Sequence, residues 1–198
     1  MGIKNFKKQK KSIVLNDLLL NVGSHLGHLT CYWDPKLARF ILNRRNKIHL
    51  FNIDKSGESL SQALRFISKL SGNVCFVNGN EKFSSISQEA AFRCLQPALT
   101  DNWTNGLLIN NNLIKTNAID ALFIINGCDD SFIIKESDKL NVPVISINDT
   151  DINSHLITYP IFSNDNSLKI QHFVSNLISD VILEKSLYNF AISLKKGG

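Results

Sequence analysis

The sequence predicts an α/β fold built on a mostly parallel sheet. Three observations carry that prediction. Short, wholly apolar runs recur, such as Val74-Cys75-Phe76-Val77 and Ala121 to Ile125, as expected of strands buried on both faces. Apolar residues at helical spacings of three and four fill the intervals between them. Strands and helices alternate at lengths that suit helices layered on a sheet. A chain of 198 residues is long enough to enclose one such core.

Residues 1–12 read as a flexible basic arm, because they hold too little apolar surface to order themselves, and 13–198 read as a single domain. Asn16 or Asp17 is placed to cap a short helix through Asn21, which Gly23 stops. Ser24 to Leu37 reads as a long loop holding His25, His28, Trp33 and Pro35. Two β-like runs follow, Phe40-Ile41-Leu42 and Ile48-His49-Leu50-Phe51, around a basic tip at Asn43-Arg44-Arg45-Asn46-Lys47. From Asp54 or Ser56 the period becomes helical, with Leu60, Leu64, Ile67 and Leu70 in phase up to Gly72. The strand at 73–77 is followed by a helix over Ser85 to Leu95. Ala121 to Ile125, Pro143 to Ile147 and Tyr159 to Phe162 read as further strands, with a helix over Ser131 to Leu140. Asp165 opens a last amphipathic helix carrying Leu168, Phe173, Leu177, Ile178, Val181 and Ile182.

Charge is distributed unevenly. Lys4, Lys7, Lys8, Lys10 and Lys11 form one acid-free block, and Lys36, Arg39, Arg44, Arg45 and Lys47 lie in a second stretch rich in cations. Without these ten, 12 cations face 17 acidic residues, so the surplus of positive charge sits in two short segments. That pattern suits a protein meeting a polyanion on one side. The second stretch also carries Trp33 and His49; arginine and lysine bind phosphates, while tryptophan and arginine stack on exposed bases.

Other chemistries find little support. The longest apolar runs are far too short to cross a bilayer, and the basic start lacks the apolar stretch of a secretory signal. Phe6 stands where myristoylation needs Ser or Thr. Cys31, Cys75, Cys94 and Cys128 show no metal-ligand spacing and read as reduced thiols, with Cys75 and Cys94 in the core. His25-x-x-His28 has the spacing of a helical metal pair, but glycines interrupt it and no acidic or Cys partner stands nearby in sequence. No Gly-Lys-Ser or Gly-Lys-Thr phosphate loop occurs, and neither Ser131 nor Ser146 sits in a nucleophile elbow. A nucleotide-binding module or enzyme using the strand ends near Asn78 and Asn126 is the alternative that stays open.

The stretch Leu18 to Ser56 resembles the small-subunit ribosomal protein S-2 family of bacteria and organelles. Gly23-Ser24-His25-Leu26-Gly27-His28 is similar to its Gly-x-His-x-Gly-His loop, Trp33-Asp34-Pro35-Lys36 to its Trp-x-Pro-Lys step, and Arg45-Asn46-Lys47-Ile48-His49 to its hairpin. Further along, Trp103 to Asn110, Asp120 to Ile125, Ile134-Lys135-Glu136-Ser137, Val142-Pro143-Val144, Asp149-Thr150 and Asn164-Asp165 resemble family segments in the same order.

The resemblance implies a flavodoxin-like sheet in three layers, a protruding β-hairpin, and a structural place on the small ribosomal subunit. Its partners would be the rRNA and neighbouring ribosomal proteins, with no enzymatic activity, cofactor, metal, small-molecule substrate or membrane. The residues expected to meet RNA are Lys8, Lys10, Lys11, His25, His28, Trp33, Lys36, Arg39, Arg44, Arg45, Lys47, His49 and Trp103. Three departures stand out. Bacterial members carry a long helical hairpin where only Asn111 to Ile119 is present here, Asn78-Gly79-Asn80 replaces a Thr-Lys-Arg step, and Asn105 replaces a glycine. Together with a bias toward Asn, Lys, Ile and Phe, whose codons are A/T-rich, the missing hairpin points to an organelle, and to a mitochondrion first, with another organelle or the cytoplasm of a divergent bacterium as the alternative.

Overall fold

The computed structural model describes residues 13–78, 80–100, 106–110, 119–127, 131–150 and 154–196. Helix α1 (residues 13–21) ends in a Schellman turn: Gly23 takes a φ of +82°, its N–H donates to Leu20 O, and Ser24 N–H donates to Leu19 O. The predicted stop at Gly23 is therefore observed, whereas Asn16 and Asp17 lie inside the helix instead of capping it. Asn16 turns its amide to Asp54 Oδ1 at 2.6 Å.

The segment read as a long loop contains a strand, β1 (Leu26–Leu29), followed by a 3-10 turn at Pro35–Phe40. β1 pairs antiparallel with β3 (Ile48–Phe51), which pairs antiparallel with β2 (Ile41–Arg45), giving a small sheet ordered β1-β3-β2. A single residue separates β3 from helix α2 (Ile53–Lys69). The cap is that residue, Asn52, whose Oδ1 accepts from Asp54 N at 3.1 Å, ahead of the caps that the sequence suggested.

The main sheet follows: β4 (Asn73–Val77), helix α3 (Glu81–Arg93), β5 (Ala98–Leu99), the one-turn helix α4 (Leu107–Asn110), β6 (Ile119–Ile124), helix α5 (Ser131–Lys139), β7 (Val144–Asn148), β8 (Tyr159–Phe162) and helix α6 (Leu168–Lys196). Its strands are all parallel and ordered β5-β4-β6-β7-β8, the flavodoxin-like order with one reversal beside the first strand. β5 was not read from the sequence: Pro97 precedes its two residues, which hold the sheet edge through Phe76 N–H to Pro97 O and Asn78 N–H to Leu99 O. Helix α3 is capped by Asn80, whose side chain accepts from Lys82 N, and it begins four residues before the predicted start.

Side chains alternate across the strands. Val74, Phe76, Phe123, Ile145 and Ile147 face a core closed by α1, α2, α3 and α6. Cys75, Val77, Leu122, Ile124 and Val144 face a second core closed by α4 and α5. Burial on both faces is the reason these strands read as continuous apolar runs. A third, smaller cluster of Leu37, Phe51 and Phe162 joins the small sheet to β8, with Phe40 stacked on Phe162 at 3.9 Å. Among the described residues no helix is long and apolar enough to cross a membrane.

Candidate nucleic-acid interface

The hairpin β2–β3 owes its shape to a two-residue turn. Asn46 and Lys47 both take positive φ, 50° and 62°, the conformation of a type I′ turn, whose twist matches that of the flanking strands. Arg45 pairs with Ile48 and Arg44 with His49. Asn43, Arg44 and Arg45 are thus strand residues and not part of the tip, and the pleat sends the two arginines to opposite faces of the ribbon. Both are exposed, as are Lys36, Arg39 and Lys47. Among the described residues none of these five cations forms an ion pair with a carboxylate. The Arg39 guanidinium lies over the Phe40 ring, 4.8 Å from its centroid, and the Lys36 ammonium donates to Nε2 of His155.

The cationic hairpin is held by a clamp behind it. The residues just after β7 reach under β1: His28 N–H donates to Asp149 Oδ1 at 3.0 Å, and its ring Nδ1 lies 2.9 Å from Asp149 Oδ2. The Asn166 amide donates to His28 Nε2 at 2.9 Å. Asp149 is buried and also accepts from Thr150 N, while Thr150 O accepts from Asp34 N at 2.8 Å. Gly27 permits this approach, because a Cβ there would stand 3.1 Å from both Asp149 Oδ1 and Thr150 Cγ2. Ser24 and Ser163, both buried, share a hydroxyl hydrogen bond of 2.8 Å that ties the start of β1 to the end of β8.

The predicted contact residues thus divide by position. Lys36, Arg39, Arg44, Arg45, Lys47 and Trp33 are exposed on the hairpin and its flanking turn. His49 is buried, with the Trp33 ring 5.2 Å away across its outer side, and His28 is committed to Asp149 and Asn166. His25 is half-buried, and its carbonyl accepts from Phe51 N at 2.9 Å. Lys8, Lys10, Lys11 and Trp103 lie outside the described residues.

The sequence did not group Asp149, Asp165 and Asn166 with His28; Asp149 and Asp151 offered carboxylates for a divalent ion at a strand end, against the more frequent turn and capping roles, and Asp149-Thr150 and Asn164-Asp165 resembled family segments. His28, Asp149 and Asp165 place one ligand-type atom each within 4.8 Å of one another. One imidazole and two carboxylates are donors that a divalent cation accepts, and His25 is not in the set. The strand ends proposed for a nucleotide offer less. Asn78 is buried, and its side chain bonds to the backbone of Asn80 through both Nδ2, at 2.6 Å, and Oδ1, at 3.4 Å.

Comparison with known proteins gives a consistent answer. The family model described as Ribosomal protein S2 matches residues 19–121 and 116–185, two stretches that overlap at 116–121. The small ribosomal subunit protein uS2 of Marinobacter nauticus is 30% identical over 217 residues, covering 85% of this chain and 87% of that protein. The protein of the same description from Aeromonas salmonicida is 26% identical over 229 residues, covering 91% and 95%. That from Acinetobacter baylyi is 29% identical over 219 residues, covering 86% and 88%. With its parallel sheet, its clamped hairpin and a match that runs through both, the chain belongs to the Ribosomal protein S2 family.

Proposed function

We infer that this chain is a structural constituent of the small ribosomal subunit, and that its cationic hairpin binds the subunit's rRNA. It is a structural ribosomal protein and not an enzyme. The observation that carries the RNA reading is the group of five exposed cations, Lys36, Arg39, Arg44, Arg45 and Lys47, on a hairpin fixed to the body by buried contacts. Fixed, unneutralised cations meet phosphates without the cost of first breaking ion pairs. Trp33, flanked by Lys36, offers a face for an unpaired base, while His25, His28 and His49 hold the loop from which these side chains project. The basic residues Lys8, Lys10 and Lys11 add charge from the arm, and Trp103 adds a second aromatic contact.

The compartment we propose is the mitochondrial ribosome, in the matrix. Support comes from the bias toward residues with A/T-rich codons and from the short link between Asn110 and Ile119; the relatives named above are bacterial. The test is gradient sedimentation of fractionated cells. The chain is expected with small subunits of the organelle. Recovery only as free protein sinks the ribosomal role, and recovery with cytoplasmic subunits sinks the mitochondrial one.

A further inference from the structure

His49 sits on β3 at the root of the cationic hairpin and is 8% exposed. Among the described residues neither of its ring nitrogens has a hydrogen-bond partner. His28, close by, is bonded to Asp149 and Asn166. Taking an imidazole out of water without replacing its bonds costs stability, and a phenyl ring would pack as well without that cost. A native side chain held in that state calls for a cause beyond the fold.

The groups around His49 supply one. Trp33 covers its outer side with ring centroids 5.2 Å apart, and is itself 39% exposed, so the indole meets the imidazole on one side and solvent on the other. The backbone beside Trp33 is anchored, because Asp34 N donates to Thr150 O at 2.8 Å, while the side chain stays at the surface. Arg44 is the cross-strand partner of His49, so the pleat puts both side chains on one face of the ribbon, with Arg44 exposed. Arg45 pairs with Ile48 and lies on the other face.

An aromatic surface, a neutral donor and acceptor, and a cation are the groups that an unpaired nucleotide needs for its base, its polar edge or sugar, and its phosphate. A neutral imidazole offers one donor and one acceptor. Charge favours a polyanion over a protein segment: residues 30–52 hold five cations against one acid, Asp34, whose Oδ1 accepts from Lys36 N. We propose that Trp33, His49 and Arg44 form a site for one unpaired nucleotide of the rRNA. The base stacks on Trp33, the phosphate meets Arg44, and the indole moves aside far enough for His49 to hydrogen-bond the sugar or base edge. The site rests on the hairpin's binding of RNA, and it gives His49 a contact role in addition to holding the loop.

The test uses the full chain with its small-subunit rRNA, read by affinity and by acylation of the rRNA 2′-hydroxyls. His49→Phe keeps a ring and removes both nitrogens. Its melting temperature is expected to hold or rise while its affinity for rRNA falls at least fivefold. The slope of log affinity against log salt stays unchanged, because no charge is lost. In the footprint, the parent chain is expected to protect one unpaired nucleotide, and His49→Phe and Trp33→Leu both make that same nucleotide reactive again. Parental affinity in His49→Phe, or release of different nucleotides by the two variants, overturns the site alone. Should His49→Phe melt below the parent, Trp33→Leu decides by itself, and the site falls if no single unpaired nucleotide is released. A parent chain that protects no rRNA at all overturns the hairpin's RNA binding as well.

Discussion

His28 and Asp149, 121 positions apart in sequence, meet twice: the backbone N–H of His28 bonds one carboxylate oxygen and its imidazole meets the other. Asp149 is buried, so its charge depends on these partners and on Thr150 N. Replacing His28 with Ala leaves a buried carboxylate short of its ring partner, a loss expected to cost about 3 kcal/mol. Urea unfolding checks this. Asp149→Asn keeps an acceptor for the His28 N–H and is expected to cost less than His28→Ala. Equal midpoints for His28→Ala and the parent protein refute the clamp.

Gly27 tests the same contact from the other side. Its missing Cβ lets β1 lie against residues 149 and 150, and His49 O would also stand only 3.2 Å from an added methyl. Asp149 cannot retreat without losing His28 N and Thr150 N. Gly27→Ala is therefore expected to destabilise the chain by about 1–3 kcal/mol, read as a lower melting temperature.

These two residues also show how far the sequence could be read. The parallel sheet was legible because Val74 to Val77 and Ala121 to Ile124 are apolar on both faces, a pattern that needs two covering layers. The cations of the hairpin were legible because no acid lies among them. Strand β1 was not, because glycine and histidine in Leu26-Gly27-His28-Leu29 give no β pattern; pairing with β3 makes it a strand. The clamp was not legible either. His28, Asp149 and Asn166 meet only after the crossovers of the sheet bring three distant segments to one end. Asp165 and Leu168 show the same limit: the sequence suggested Asp165 as the start of α6, but the helix begins at Leu168 and Asp165 is buried before it.

Lys47 holds a φ of +62°, a region in which a side chain is strained and glycine is not. Asn-Gly is the preferred pair for this turn. Lys47→Gly is expected to raise stability by up to about 1 kcal/mol while weakening RNA binding. The measurements are thermal melting of the free chain and affinity for small-subunit rRNA. Tighter binding by Lys47→Gly shows that the lysine does not face RNA.

Arg44, Arg45 and Lys47 should act mainly through phosphates. Removing one cation that neutralises a phosphate flattens the slope of log affinity against log salt by about 0.7–0.9. Replacing all three with Ala is expected to flatten that slope by about 2, with the melting temperature held or raised, since all three are exposed. A lower affinity with an unchanged slope contradicts direct binding of phosphates by these side chains.

Cys75 sits in the second core with no exposed surface, and burial pushes its thiol from 9.0 up to about 12. The unfolded chain releases that proton near pH 9, whereas the folded chain keeps it until about pH 12. Between those values the folded state binds more protons than the unfolded state, so stability falls as pH rises. The contribution is complete below pH 9 and declines above it by about 1.4 kcal/mol per pH unit. Burial also raises Cys94, so the parent's slope contains both thiols, alongside other groups that titrate at alkaline pH. Cys75→Ala isolates one of them, because a small apolar side chain fills most of the site without titrating. Unfolding free energies from urea titrations at pH 8 to pH 10.5 are expected to fall less steeply for Cys75→Ala than for the parent, by about 1 kcal/mol per unit at the upper end. Identical slopes mean that Cys75 ionises as easily in the folded chain as in the unfolded one, which a thiol sealed between β6 and the helices of the second layer cannot do.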